Sequence, residues 1–223
     1  MKASGKSVVI APPMYWGINE ATASFGGSFS VRPSTLEGLI EDTFASFRKD
    51  GFRTVYIVTG HGDRLHNQTI VEGVETARAT TGVRGFVILN AAMRDRLGLT
   101  GSEPHVLVPG GAAGPPQTAA PPAGGPQFVE VHAGAGETST VWHFFPELVK
   151  AEIIPTLAPT RYGPDDLAEW RKGWENARRK TPLGYFGDPA AASRQRGAQA
   201  SATGSARTAE AISRHFESLP WGR

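Results

Sequence analysis

Two short segments concentrate the residue types that do hydrolytic chemistry. Gly60-His61-Gly62-Asp63 follows an apolar run and sets an imidazole and a carboxylate two residues apart in a glycine-loosened loop. A mixed nitrogen and oxygen donor pair of this kind suits one divalent cation or two adjacent ones. The same spacing also arises when a histidine caps a strand end and an aspartate makes the turn. The second segment is His132-Ala133-Gly134-Ala135-Gly136-Glu137-Thr138-Ser139. A histidine that titrates near neutrality can pass a proton to an amine leaving group. Glu137, five residues on, is placed to orient His132, to bind a substrate nitrogen, or to interact with the start of a helix. A hydrogen-bonded structural histidine beside an acidic helix start fits the pattern as well. His66 is a spare donor near the first segment, whereas His105, His143 and His215 read as structural.

The elements that position these residues follow from hydrophobic periodicity. Val8-Val9-Ile10-Ala11 is a continuous apolar run ending at Pro12-Pro13 and reads as a buried strand. Ser34 to Lys49 carries Leu36, Leu39, Ile40, Phe44 and Phe47 at helical spacing, with Ser34 and Glu37 in a capping-box pattern and Gly51 at the end. Thr54 to Val58 and Gly85 to Asn90 read as strands, with a helix over Asn67 to Thr80 between them. Phe128 to Val131 restarts a strand, and helices follow over Thr138 to Val149, Asp165 to Arg179 and Thr203 to Phe216. Residues 109–126 are Gly, Ala and Pro with Gln117 and Thr118, and read as an exposed insertion in a single domain spanning 1–223.

Strands separated by helices imply a mostly parallel sheet covered on both faces. Right-handed crossovers then gather the strand carboxyl ends on one edge, where ligands bind. That edge is expected to collect Pro12 to Gly17, His61 to Asp63, Asn90 and His132 to Glu137.

Composition narrows the function classes. The absence of cysteine excludes disulfides, thiolate metal sites and thiol nucleophiles, and fits a reducing compartment. Net charge is +2 with the basic residues scattered, so nucleic acid is not an expected partner. No apolar run reaches membrane-spanning length, and the short run after Lys6 is too brief for a signal-peptide core, so a cytoplasmic location is expected.

The ordered motifs resemble the creatininase family. Trp16-Gly17-Ile18-Asn19 running to Phe25-Gly26-Gly27-Ser28 is similar to the family's glycine-serine pair leading to F-P-G-T. Gly60-His61-Gly62 is similar to its N-G-H-G block, with Thr59 in place of asparagine. His132-Ala133-Gly134, Glu137-Thr138-Ser139 and Pro146-Glu147-Leu148-Val149 resemble its H-A-G, E-T-S and P-E-L-V run. Gly184 to Pro189 resembles its G-x-x-G-D-P block.

The resemblance implies a three-layer α/β/α sandwich and metal-dependent hydrolysis of a cyclic or linear amide C–N bond in a small molecule. It implies two divalent ions, zinc first with manganese or iron as alternatives, and a homo-oligomer such as a hexamer. By position, His61 matches a metal ligand, Asp63 occupies the place of a glutamate ligand where many relatives have glycine, His132 matches the catalytic histidine, and Glu137 the acid of E-T-S. Departures are also plain. Nothing before Val8 matches the E-x-H-G-x-H-L-P motif and following aspartate that supply further ligands, and Thr22 stands where relatives carry histidine. The metal site is therefore expected to be incomplete on this chain unless Glu20, His66, Glu130 or another chain contributes. Two alternatives accompany the hydrolase reading: a catalytically impaired homologue that binds a small molecule, and an N-terminally truncated fragment of such a hydrolase.

Overall fold

The computed structural model describes residues 8–109 and 128–220. Chain contacts divide it into two compact units. The first comprises Met1–Asn19, Phe29–Ala113 and Ala206–Arg223, and the second Glu20–Ser28 and Gly114–Ser205.

The first unit holds a parallel sheet in the order β1-β2-β3, with β1 at Thr54–Val58, β2 at Arg84–Ile88 and β3 at Val106–Leu107. β1 and β2 register from Thr54 opposite Arg84 to Val58 opposite Ile88. Helix α1 (Pro33–Lys49) precedes β1, α2 (Arg64–Thr81) joins β1 to β2, and the short α3 (Ala91–Arg96) follows β2. Leu36, Ile40 and Phe44 from α1 meet Ile70, Val74 and Ala77 from α2 and Val87 from β2 in the buried core. The α/β alternation thus follows the apolar periodicity, because a two-sided parallel sheet needs helices to cover it.

The second unit holds α4 (Ala135–Phe144), α5 (Pro164–Trp170) and α6 (Trp174–Lys180), and α5 and α6 contribute Trp170 and Ala177 to a smaller core with Phe186. Helix α7 (Arg194–Ser218) contributes residues 194–205 to this unit and 206–218 to the first.

Several expectations are corrected. Val8 to Ala11 forms no strand, and Val8, Val9 and Ile10 are all exposed. Apolar content alone does not make a strand, and the prolines that follow cannot donate to a ladder. Helix α1 starts one residue before Ser34, because Pro33 at its first position presets the helical φ. Its cap residue is Arg32, without a side-chain capping bond, so the capping box does not form. Residues 128–131 form no regular strand, and their neighbour His132 makes an isolated antiparallel bridge to Phe186. The helix expected over 165–179 is two helices, broken at Gly173, whose φ of 73° is left-handed. All of the 109–126 insertion except Pro109 lies outside the described residues.

Candidate active site

In the first unit the end of β1 runs into Thr59 to Asp63, and α2 starts immediately after. Asp63 is the cap of α2: its Oδ1 accepts the His66 N–H at 3.1 Å. This is the ordinary way an aspartate satisfies a free helix-start donor. Asn67, 1% exposed on the first turn, donates from Nδ2 to the His61 carbonyl and to the Asp63 carbonyl, each at 2.7 Å. Arg96 at the end of α3 donates to the Gly62 carbonyl at 3.0 Å and lies close enough to Asp63 for their charges to interact. The loop is therefore pinned at every turn.

Both histidines of this loop reach back to one residue. His61 Nε2 donates to the Ile18 carbonyl at 2.9 Å, and His66 Nδ1 accepts the Ile18 N–H at 3.3 Å. The two rings meet edge to face with centroids 4.9 Å apart. Burial, reinforced by His61 and opposed by Asp63, pulls the His66 imidazole down to about 4. His66 is thus neutral at physiological pH.

This arrangement bears on metal binding. With Nε2 donating to Ile18, the one His61 ring nitrogen left for a metal is Nδ1. Asp63 is engaged by a helix N–H and an arginine charge, and the Nδ1 lone pair of His66 is taken. Among the described residues no group of three or more His, Asp or Glu gathers where it could hold a metal ion. Among the described residues the donors gathered here number fewer than a metal site needs.

The second unit presents the other histidine. His132 N–H donates to the Phe186 carbonyl at 3.2 Å, and the Phe186 N–H returns a bond to the His132 carbonyl at 2.7 Å. Ala133 has a φ of 46°, the left-handed region that alanine rarely enters. Glu137, in the first turn of α4, holds it there: Oε2 accepts the Ala133 N–H at 2.6 Å. The same oxygen lies 3.6 Å from His132 Nδ1, an ion-pair rather than a hydrogen-bond distance. The His132 ring rests 5.8 Å from Trp170, whose own Nε1 is tied to Thr181 Oγ1 at 2.9 Å. Trp170 carries no sequence signal beyond an aromatic residue in a helical stretch.

His132 and Glu137 are brought within ion-pair distance, whereas His61 and Asp63 are joined through Asn67 at their backbone carbonyls. Asn90, expected at the same sheet edge, is spent as the cap of α3, its Oδ1 accepting the Met93 N–H at 2.8 Å. The spare donors go elsewhere: the Glu130 carboxylate accepts the Ala135 N–H and lies 3.5 Å from Arg196.

The family model for creatininase, described as creatinine amidohydrolase, matches residues 1–212. The chain belongs to the creatininase family. Its fold is creatininase-like: a crystal structure of creatinine amidohydrolase matches with a TM-score of 0.61 at 22% identity, covering 93% of this chain and 75% of that one. A creatininase variant of Zn-Zn type matches at 0.57 and 20%, and a manganese creatininase at 0.58 and 21%, each covering 90% of this chain and 72% of the other. No curated protein matches the chain in sequence. Among the described residues no helix is long and apolar enough to cross a membrane.

Proposed function

We propose that this creatininase-family chain hydrolyses a cyclic or linear amide C–N bond in a small molecule, with His132 as the proton-transfer residue. The observation that carries the reading is the His132, Ala133 and Glu137 cluster. A half-exposed imidazole stands on a backbone bridged to Phe186 and faces a carboxylate at Nδ1, which leaves Nε2 for substrate. As water adds across the bond, the carbonyl carbon gains the hydroxyl and the departing nitrogen gains the proton from His132. Glu137 steadies the imidazolium and keeps Ala133 in its left-handed turn.

Metal dependence belongs to the same proposal. His61 and Asp63 are two donors for a divalent cation, zinc first and manganese or iron as alternatives, in keeping with the zinc and manganese creatininases of similar fold. Further donors must come from outside the set gathered in the first unit. Residues 1–223 would act as one catalytic domain in a cytoplasmic homo-oligomer such as a hexamer.

The commitment of His61, Asp63 and His66 to existing hydrogen bonds favours a second reading, a homologue that binds small amides without turning them over. One experiment separates the two. The purified chain is analysed for bound metal and assayed against creatinine and a panel of small cyclic amides. Bound zinc or manganese that is lost in His61→Ala, together with turnover, supports the hydrolase. Turnover of none of them by a folded chain, with or without added metal, gives the binding reading.

A further inference from the structure

We infer that Glu130 is the positioning residue of the His132 site, a buried carboxylate that sets the geometry of the turn carrying the imidazole. The inference rests on the proposed role of His132 for its kinetic arm, but its structural arm stands alone.

Four observations converge on Glu130. Its side chain is only 13% exposed, although it lies two residues before the half-exposed His132. One carboxylate oxygen accepts the N–H of Ala135, the first residue of α4. The other lies 3.5 Å from the Arg196 guanidinium on α7, so the buried charge is balanced. The carboxylate also fills the space beside two glycines. A Cβ on Gly134 would fall inside contact distance of the Glu130 carboxylate, and a Cβ on Gly187 would lie 2.7 Å from Glu130 Cγ.

The consequence is geometric. The chain from His132 to Ala135 must turn sharply, with Ala133 left-handed, before α4 begins. Glu137 holds the turn at Ala133 and Glu130 holds it at Ala135, so two carboxylates grip it from its two ends. The Phe186 bridge fixes the remaining side at His132. Glu130 contacts no exposed part of the imidazole, so it acts through the backbone. A largely buried carboxylate is tolerated here because it is bonded to a helix-start N–H and lies beside Arg196, and in that place it fixes a strained turn.

The test compares Glu130→Ala, Glu130→Gln and Arg196→Ala in the full chain. Circular dichroism reports folding, and amide hydrogen exchange reports Ala133 and Ala135 against the β2 amides as an internal reference. NMR of the His132 ring nitrogens gives a signature that general destabilisation would not move. Expected for Glu130→Ala is exchange at Ala133 and Ala135 faster by about tenfold or more, unchanged β2 protection and a shifted His132 ring signal. Glu130→Gln keeps an acceptor for Ala135 and recovers most of that protection, whereas Arg196→Ala falls between. If the chain turns over an amide, kcat falls in Glu130→Ala with KM nearly unchanged. If wild type turns over none, the proposed function fails while the exchange and ring signals still decide the positioning role. Unchanged Ala133 exchange and His132 signal in a folded Glu130→Ala protein would overturn the inference. Should Glu130→Ala not fold, Glu130→Gln carries the test: near-native Ala135 protection and ring signal support positioning. Loss of fold in the glutamine variant as well makes Glu130 a determinant of folding and overturns it.

Discussion

His61 and His66 stand edge to face 4.9 Å apart while engaging the backbone of one residue, Ile18, one at its carbonyl and the other at its N–H. The pair makes the orientation of His61 depend on the seat of His66. That seat exists because residue 17 has no side chain: a Cβ there would lie 2.7 Å from the His66 ring. Gly17→Ala is therefore expected to displace His66 and cost about 1–3 kcal/mol, the usual range for overpacking. Urea unfolding measures the cost, and the His61 and His66 ring signals in NMR report the displacement. Wild-type stability with unmoved ring signals would remove the seat from the explanation.

Asn67 holds the same loop from beneath. Its two donated bonds reach the carbonyls of His61 and Asp63, in a site with almost no solvent. Asn67→Leu keeps the approximate shape but strands the His61 carbonyl and leaves the Asp63 carbonyl only the backbone N–H of residue 67, which is expected to cost about 1–3 kcal/mol. Asn67→Asp removes the donors and adds a charge facing two carbonyls, so it should be the more damaging of the two at neutral pH. Chemical denaturation of both variants ranks them, and a well-tolerated aspartate would show that the donors are not what matters.

A pH effect follows from His105. It is 4% exposed, its Nε2 has no hydrogen-bond partner, and burial holds its imidazole below the ordinary histidine value, with Glu75 opposing. Below the ordinary value of about 6.5 the unfolded chain therefore binds a proton that the folded chain resists, so stability falls as pH drops through that range. His105→Leu removes this term. Urea midpoints at pH 7.5 and pH 5 should diverge less in the variant than in wild type. Parallel losses in both proteins would assign the acid sensitivity to other groups.

Legibility in the sequence varied with how local the cause was. Thr54 to Val58 was readable to the residue, because a short apolar run between turn signals has few alternatives. Val8 to Ile10 has the same composition and is exposed, since strand formation depends on a partner and not only on the run itself. The break between α5 and α6 hides behind continuous helical periodicity and depends on Gly173 taking a left-handed φ. At the candidate site, His61, Asp63, His132 and Glu137 stood out because glycines flank them after apolar runs. Asn67, Glu130 and Trp170 did not, because their roles depend on which backbone groups the fold sets against them.

The division of labour between His132 and Glu137 gives the most direct test of the proposed chemistry. His132 has a half-exposed side chain on a backbone fixed by its bonds to Phe186, so His132→Asn should fold normally and lose about 10²- to 10⁴-fold in kcat, the usual contribution of a general acid or base. Glu137 has two separable functions, one through its charge near Nδ1 and one through its bond to the Ala133 N–H. Glu137→Gln keeps an acceptor for that N–H and loses only the charge, whereas Glu137→Ala loses both. The alanine variant is therefore expected to be the slower of the two, by about tenfold, because the left-handed turn relaxes as well. If both act through the imidazole, either Glu137 change introduced alongside His132→Asn should cost little more than His132→Asn alone. Single-turnover rates for wild type, the three single variants and the two double variants decide it. Fully additive losses would separate Glu137 from the imidazole and leave it a purely structural residue of the turn.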